Sequence, residues 1–216
     1  GTESDERDYL AKMARNETSQ KVFNLCYDTG SLSLPKLQEC PRDANVLHFI
    51  GHSSRLEEET SSMFRMNSDP NKHLNCSDTD LCKYLVNFFK DSPVDLMFFS
   101  MCNKFDLACM IMSRMSGSFY IVCWYGNVDQ KLAYNFSKTF YYECQIGKFD
   151  VEHAFNVAAN MCKHNRADSG EIFPCLMCKR ESGEKVLLQA NWRTGAFPST
   201  WPELEQFDRW IIKEFE

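Results

Sequence analysis

Hydrophobic residues along this chain fall into two alternating textures. Short runs with almost no polar interruption, Asn45–Ile50, Val94–Ser100 and Phe119–Trp124, read as strands buried on both faces. Lys21–Cys26 reads as an earlier strand, followed by a turn at Asp28–Gly30 and a short helix over Leu32–Glu39. Other stretches carry apolar residues at helical spacing. These are Tyr9, Leu10 and Met13 within the charged segment Asp5–Asn16, and Leu81, Tyr84, Leu85, Phe88 and Phe89 behind a capping Ser77 or Asp78. Leu107–Met115 continues the series, as do Ala133, Phe136, Phe140 and Tyr141 leading to a terminating Gly147. Val151, Ala154, Phe155, Ala158 and Met161 follow an N-capping Asp150. The polar stretch Ser53–Cys76 predicts a long excursion with one small strand at Met63–Met66. Downstream, Ile172–Met177 and Lys185–Leu188 flank the turn Glu181-Ser182-Gly183 as a hairpin. Trp192, Trp201 and Trp210 are expected to anchor a C-terminal segment that ends in a helix.

Strands alternating with helices predict an α/β fold with a mainly parallel sheet and helices on both faces. The expected organisation is a single domain over residues 1–216, with a peripheral helix in 1–20 and a hairpin-and-helix extension in 166–216. Because Gly1-Thr2 stands where an initiating Met would, the chain reads as a piece of a longer protein. A hydrophobic fraction of 44% with 13% aromatic residues suits a packed core. The net charge of −6 argues against nucleic acid as a partner. No run approaches the roughly 20 apolar residues that span a bilayer, so no membrane association is expected. Gly51, Gly117 and Gly126 are isolated, which removes the glycine loops of nucleotide binding. Eleven cysteines, odd in number and often inside apolar runs, read as free thiols in a reducing compartment. An intracellular location, cytoplasmic or nuclear, follows as the expectation.

In such sheets functional residues collect at the carboxyl ends of strands, and two chemically suited residues fall there. His52 follows the run Val46–Ile50 through Gly51, and Cys102 follows Leu96–Ser100 through Met101. A nucleophilic thiol needs an imidazole to take its proton and backbone N–H groups to stabilise the oxyanion. Two neighbouring strand tips could thus bring the Cys102 thiol and the His52 ring within reach of each other. A separation of about 50 residues from His to Cys also matches caspase-type spacing.

The segment Leu47-His48-Phe49-Ile50-Gly51-His52-Ser53 resembles the HFAGHG strand end of CHAT-type caspase-like domains, and LMFFSMCN over Leu96–Asn103 resembles their LVLSACN nucleophile strand. Phe119–Asp129 is similar to the family's VIGTLWPVDD segment, and Lys148–Ala154 to its GKSVAEAL helix start. The resemblance spans about Lys21 to His164. It implies a caspase-like three-layer α/β/α sandwich and a cysteine endopeptidase that cleaves a protein substrate, with Cys102 as nucleophile, His52 as its general base and the backbone amides of Ser53 and Cys102 as oxyanion-hole donors. Other domains of the parent chain are further expected partners. It also implies that Trp124 and Asp129 contribute to the substrate cleft, with Asp129 pairing a basic side chain. Read locally, Asp129 is an N-cap for the helix beginning at Gln130. His48 is expected to be structural. Two residues depart from the pattern, Ser53 in place of glycine and Met101 in place of alanine. Those departures motivate an alternative reading, a catalytically silent interaction module on the same fold.

No cofactor is required by this chemistry. One cluster has metal-ligand character: Cys162, His164, Cys175 and Cys178, where the Cys-x-x-Cys half has zinc spacing. It motivates a second alternative, a zinc-stabilised binding domain.

Overall fold

A computed structural model describes residues 2–15, 44–51, 53–55, 62–65, 75–163, 172–189 and 210–214. The strand, turn and helix expected over residues 21–39 lie outside them, as do Trp192 and Trp201. Helix α1 (Thr2–Arg15) leads to β1 (Val46–Ile50), then to the short strands β2 (Ser53–Arg55), β3 (Ser62–Arg65) and β4 (Asn75–Ser77). Helix α2 (Asp78–Phe89), β5 (Leu96–Ser100), α3 (Phe105–Arg114) and β6 (Phe119–Tyr125) follow. The remainder comprises α4 (Gln130–Ile146), α5 (Val151–Lys163), β7 (Phe173–Lys179), β8 (Lys185–Gln189) and β9 (Trp210–Glu214).

The main sheet has the order β1-β5-β6-β7-β8-β9. Strands β1, β5 and β6 run parallel to one another, β7 and β8 are antiparallel to their preceding neighbours, and β9 runs parallel to β8. Every residue of β5 is buried, as its position between two strands and two helical layers requires. Side-chain alternation sends Leu47, Phe49, Met97 and Phe99 into one apolar cluster with Leu85 and Phe89 of α2 and Leu107 and Ile111 of α3. The intervening residues Val46, Leu96 and Phe98 meet Leu10 of α1, Phe136 and Phe140 of α4 and Phe155 of α5 on the other face. The chain is therefore a mixed α/β fold with helices on both faces of a mostly parallel sheet. None of the described helices is long and apolar enough to cross a membrane.

Two elements differ from the sequence expectation. The excursion after β1 holds an antiparallel sheet of order β2-β3-β4, with Phe64 opposite both Ser53 and Cys76. Residues 210–214 form a strand rather than a helix: the Trp-Ile-Ile sequence is β-branched and aromatic, and it pairs alongside β8 from Lys185↔Trp210 to Gln189↔Glu214. Helix α1 is also less peripheral than its charged sequence implies, since Leu10 and Met13 enter the core.

Helix α1 is docked by a buried polar cluster as well as by its apolar stripe. Glu6 is only 3% exposed. Its Oε2 accepts a hydrogen bond from the Ser100 hydroxyl at 2.9 Å, and its Oε1 lies 3.2 Å from Nε2 of His48 in an ion-pair contact. The opposite ring nitrogen of His48, Nδ1, is 2.8 Å from the Tyr141 hydroxyl, and the ring stacks on Phe98. His48 is thus the structural residue expected. Burial pushes the Glu6 carboxyl up, but His48, Ser137 and Ser100 together outweigh it and leave the group below its ordinary 4.5. A carboxyl depressed by folding stabilises the fold fully above its unfolded value, and that contribution is lost as pH falls through the depressed folded value. Glu6→Gln is expected to lower unfolding free energy by about 3 kcal/mol at neutral pH, since it leaves the polar cluster without its charge. Denaturant titrations from pH 7 to pH 3 should show wild type converging on the variant below pH 4.5; a constant gap would mean that Glu6 is not the group titrating.

Candidate active site

Strand β5 ends at Ser100, opposite Ile50, the last residue of β1. Two residues further along each chain stand Cys102 and His52, so the parallel register brings the two segments that carry them to the same edge of the sheet. His52 itself lies outside the described residues. Ser53 opens β2 immediately after it, opposite Phe64.

The turn carrying Cys102 is sharply built. Asn103 has φ of 51°, in the left-handed region that asparagine tolerates better than most residues. Its N–H donates to the Gly126 carbonyl at 3.0 Å, and the Lys104 N–H donates to the Trp124 carbonyl at 3.1 Å. The Asn103 side-chain amide donates to Oδ1 of Asn127 at 2.6 Å. Cys102 adds a contact from its thiol to the Val128 carbonyl at 3.5 Å. Residues 102–104 are thereby fastened to the loop between β6 and α4, where Gly126 has φ of 82°.

Eight cysteines with described side chains are free thiols, and Cys102 alone among them is partly exposed. Cys82, Cys109, Cys123, Cys144, Cys162, Cys175 and Cys178 are buried and serve as core residues. Burial pushes the Cys102 thiol above its ordinary 9.0, while the Val128 backbone and the Lys104 charge pull the other way. Ionisation at neutral pH therefore needs a proton acceptor beyond this turn, the role expected of His52.

The other expected site residues separate. Trp124 is fully buried and packs edge-on to Phe136, so its indole forms core rather than a cleft wall. Asp129 caps α4, its Oδ1 accepting from the Leu132 N–H at 2.9 Å. Its local reading accounts for the residue without a substrate. Cys175 and Cys178 lie three positions apart on one strand and so point to opposite faces. Cys175 enters the cluster of α2 and α3, whereas Cys178 joins Cys162 in the cluster of α4 and α5. The two halves of the Cys-x-x-Cys pair thus do not converge, and His164 lies outside the described residues. Among the described residues no group of three His, Cys, Asp or Glu side chains could hold a metal ion.

Sequence reading offered Asp78 only as a candidate helix cap and did not single out Lys104. The Lys104 Nζ is 2.7 Å from Asp78 Oδ1, with the lysine fully buried and the aspartate 5% exposed. One signal was present: a lysine immediately before a helix, where capping residues are favoured.

The chain matches no known family model, and no curated protein matches it.

Two outcomes follow from these positions. Limiting iodoacetamide on the native protein, read by peptide mass mapping, should modify Cys102 well before the seven buried thiols. Asp129→Ala should cost about 1 kcal/mol in denaturant unfolding through loss of the cap; unchanged stability would return Asp129 to a substrate-facing role.

Proposed function

We propose that the chain is a cysteine endopeptidase domain of caspase-like type, with Cys102 as nucleophile and His52 as general base, cleaving a protein substrate. The observation that carries this reading is the placement of the one partly exposed described thiol, on a strained and tightly fastened turn beyond a buried parallel strand. Its neighbour strand ends in register and leads directly into His52. The mixed α/β fold with helices on both faces is compatible with a caspase-like sandwich, and the four ordered motifs support the same assignment.

In this mechanism His52 removes the Cys102 proton as the sulfur attacks the scissile carbonyl. Backbone N–H groups of Ser53 and Cys102 receive the oxyanion, the amine leaves with the proton from His52, and water hydrolyses the thioester. Neither step calls for a cofactor. The free thiols among the described cysteines support an intracellular setting.

A catalytically silent interaction module is the second reading, favoured by Ser53 where the family pattern has glycine. A positional-scanning peptide library separates the two. Wild type should yield cleavage at defined positions, while Cys102→Ala and His52→Ala should each reduce kcat/KM by at least about 1000-fold. Absence of turnover by a folded wild type whose Cys102 still alkylates would select the silent module.

A further inference from the structure

Lysine at position 104 is poorly suited to its place. It precedes α3, makes no side-chain capping hydrogen bond, and puts a cation at the helix end where the backbone dipole disfavours one. It is also fully buried, so its charge is removed from water. The arrangement is tolerated because Asp78 meets it at 2.7 Å. A local rule broken at such cost, two residues from the candidate nucleophile, points to a use for the charge.

Asp78 sits at an informative place as well. It is the first residue of α2, directly after β4, and Ser77 of β4 caps that helix by accepting from the Asp80 N–H. Through β4 and β3 it is tied to β2, the strand that begins one residue after His52. The buried pair therefore joins the segment following His52 to the segment following Cys102. On the far side, the Lys104 N–H holds the Trp124 carbonyl, and Asn103 holds Gly126 and Asn127. The Cys102 turn is held from both sides, and one of those holds is a buried cation.

Resting on the assignment of Cys102 as nucleophile, we infer that Lys104, held in place by Asp78, is a positioning residue for Cys102: it locks the turn and biases the thiol toward thiolate. Its buried ammonium lies two residues along the chain from the partly exposed sulfur, while Asp78 keeps it charged and partly offsets its field. The direction of the charge effect agrees with the pull that Lys104 exerts on the Cys102 ionisation.

Removing the lysine, or the carboxylate that keeps it protonated, should then raise the ionisation midpoint of the thiol, which a merely structural pair would leave in place. The test is the pH dependence of Cys102 carboxymethylation in the full chain, read by peptide mass mapping so that no peptidase activity is needed. Lys104→Met should move the midpoint to higher pH and slow modification at pH 7.5 by about threefold or more. Asp78→Asn leaves Lys104 buried without its counter-charge, so that the lysine releases its proton, and should move the midpoint the same way. Should Lys104→Met fail to fold, Lys104→Met with Asp78→Leu leaves no unpaired buried charge and should show the same upward shift. If neither folds, the Asp78→Asn profile decides alone. Unmoved midpoints, or a shift to lower pH in either variant, would overturn the inference. A shift in the expected direction in a protein that cleaves no peptide would keep the role of Lys104 and remove only the peptidase reading.

Discussion

Everything at the candidate site depends on β5 being buried on both faces and flanked on both edges. A strand so placed has nowhere to present a polar group along its length, since a side chain at any inner position meets helices on one face or the other. Chemistry can appear only where the strand ends. Ser100 marks that boundary from the inside, its hydroxyl satisfied by Glu6. Cys102, two residues on, is the one partly exposed thiol among the cysteines with described side chains. The same constraint explains why the next residues fold back so tightly. Asn103 and Lys104 must find partners at once, and they find them on the carbonyls of Gly126 and Trp124.

Two buried ion pairs flank this strand end, and they have different characters. Glu6 and His48 lie on the α1 side, supported by Ser100 and Tyr141, so the carboxyl and the ring sit within a wider polar cluster. Lys104 and Asp78 lie on the α2 and α3 side. Buried pairs of this kind stabilise little compared with well-packed apolar substitutes, yet breaking either one leaves a charge stranded in the core. Their value lies in specifying one arrangement: the first fixes where α1 docks, the second fixes how α2 meets the Cys102 turn.

Much of this fold was legible in the chain because its buried strands are uniformly apolar and its helices are amphipathic. Leu96–Ser100, Phe119–Tyr125 and the hairpin about Ser182 emerge close to the expected boundaries, and Ser77, Asp129 and Asp150 cap the helices they precede. The antiparallel sheet after β1 was not legible, since Ser53–Arg55 and Asn75–Ser77 carry no alternation of polar and apolar residues. Strand β9 was misread because five residues are too few to separate a helical period from a strand. Cys102 could be found from its place at a strand end. The ion pairs could not: Lys104 and Asp78 are 26 residues apart, and nothing in either local pattern names the other. Trp124 shows the opposite error, a residue whose motif suggests a cleft but whose place on an inner strand commits it to the core.

The docking of α1 has a kinetic side. Its carboxylate waits for a serine 94 positions later, and β1 waits for a partner strand beginning 50 residues on at Leu96. Contacts closed across such distances contribute late, because loop entropy is lost before any packing is gained. During synthesis the first helix therefore emerges long before its seat exists, and its amphipathic face must stay soluble on charge alone until β5 and α4 arrive. Beyond Glu6, the abundance of Asp, Glu, Arg and Lys in Thr2–Arg15 suits a segment that has to wait.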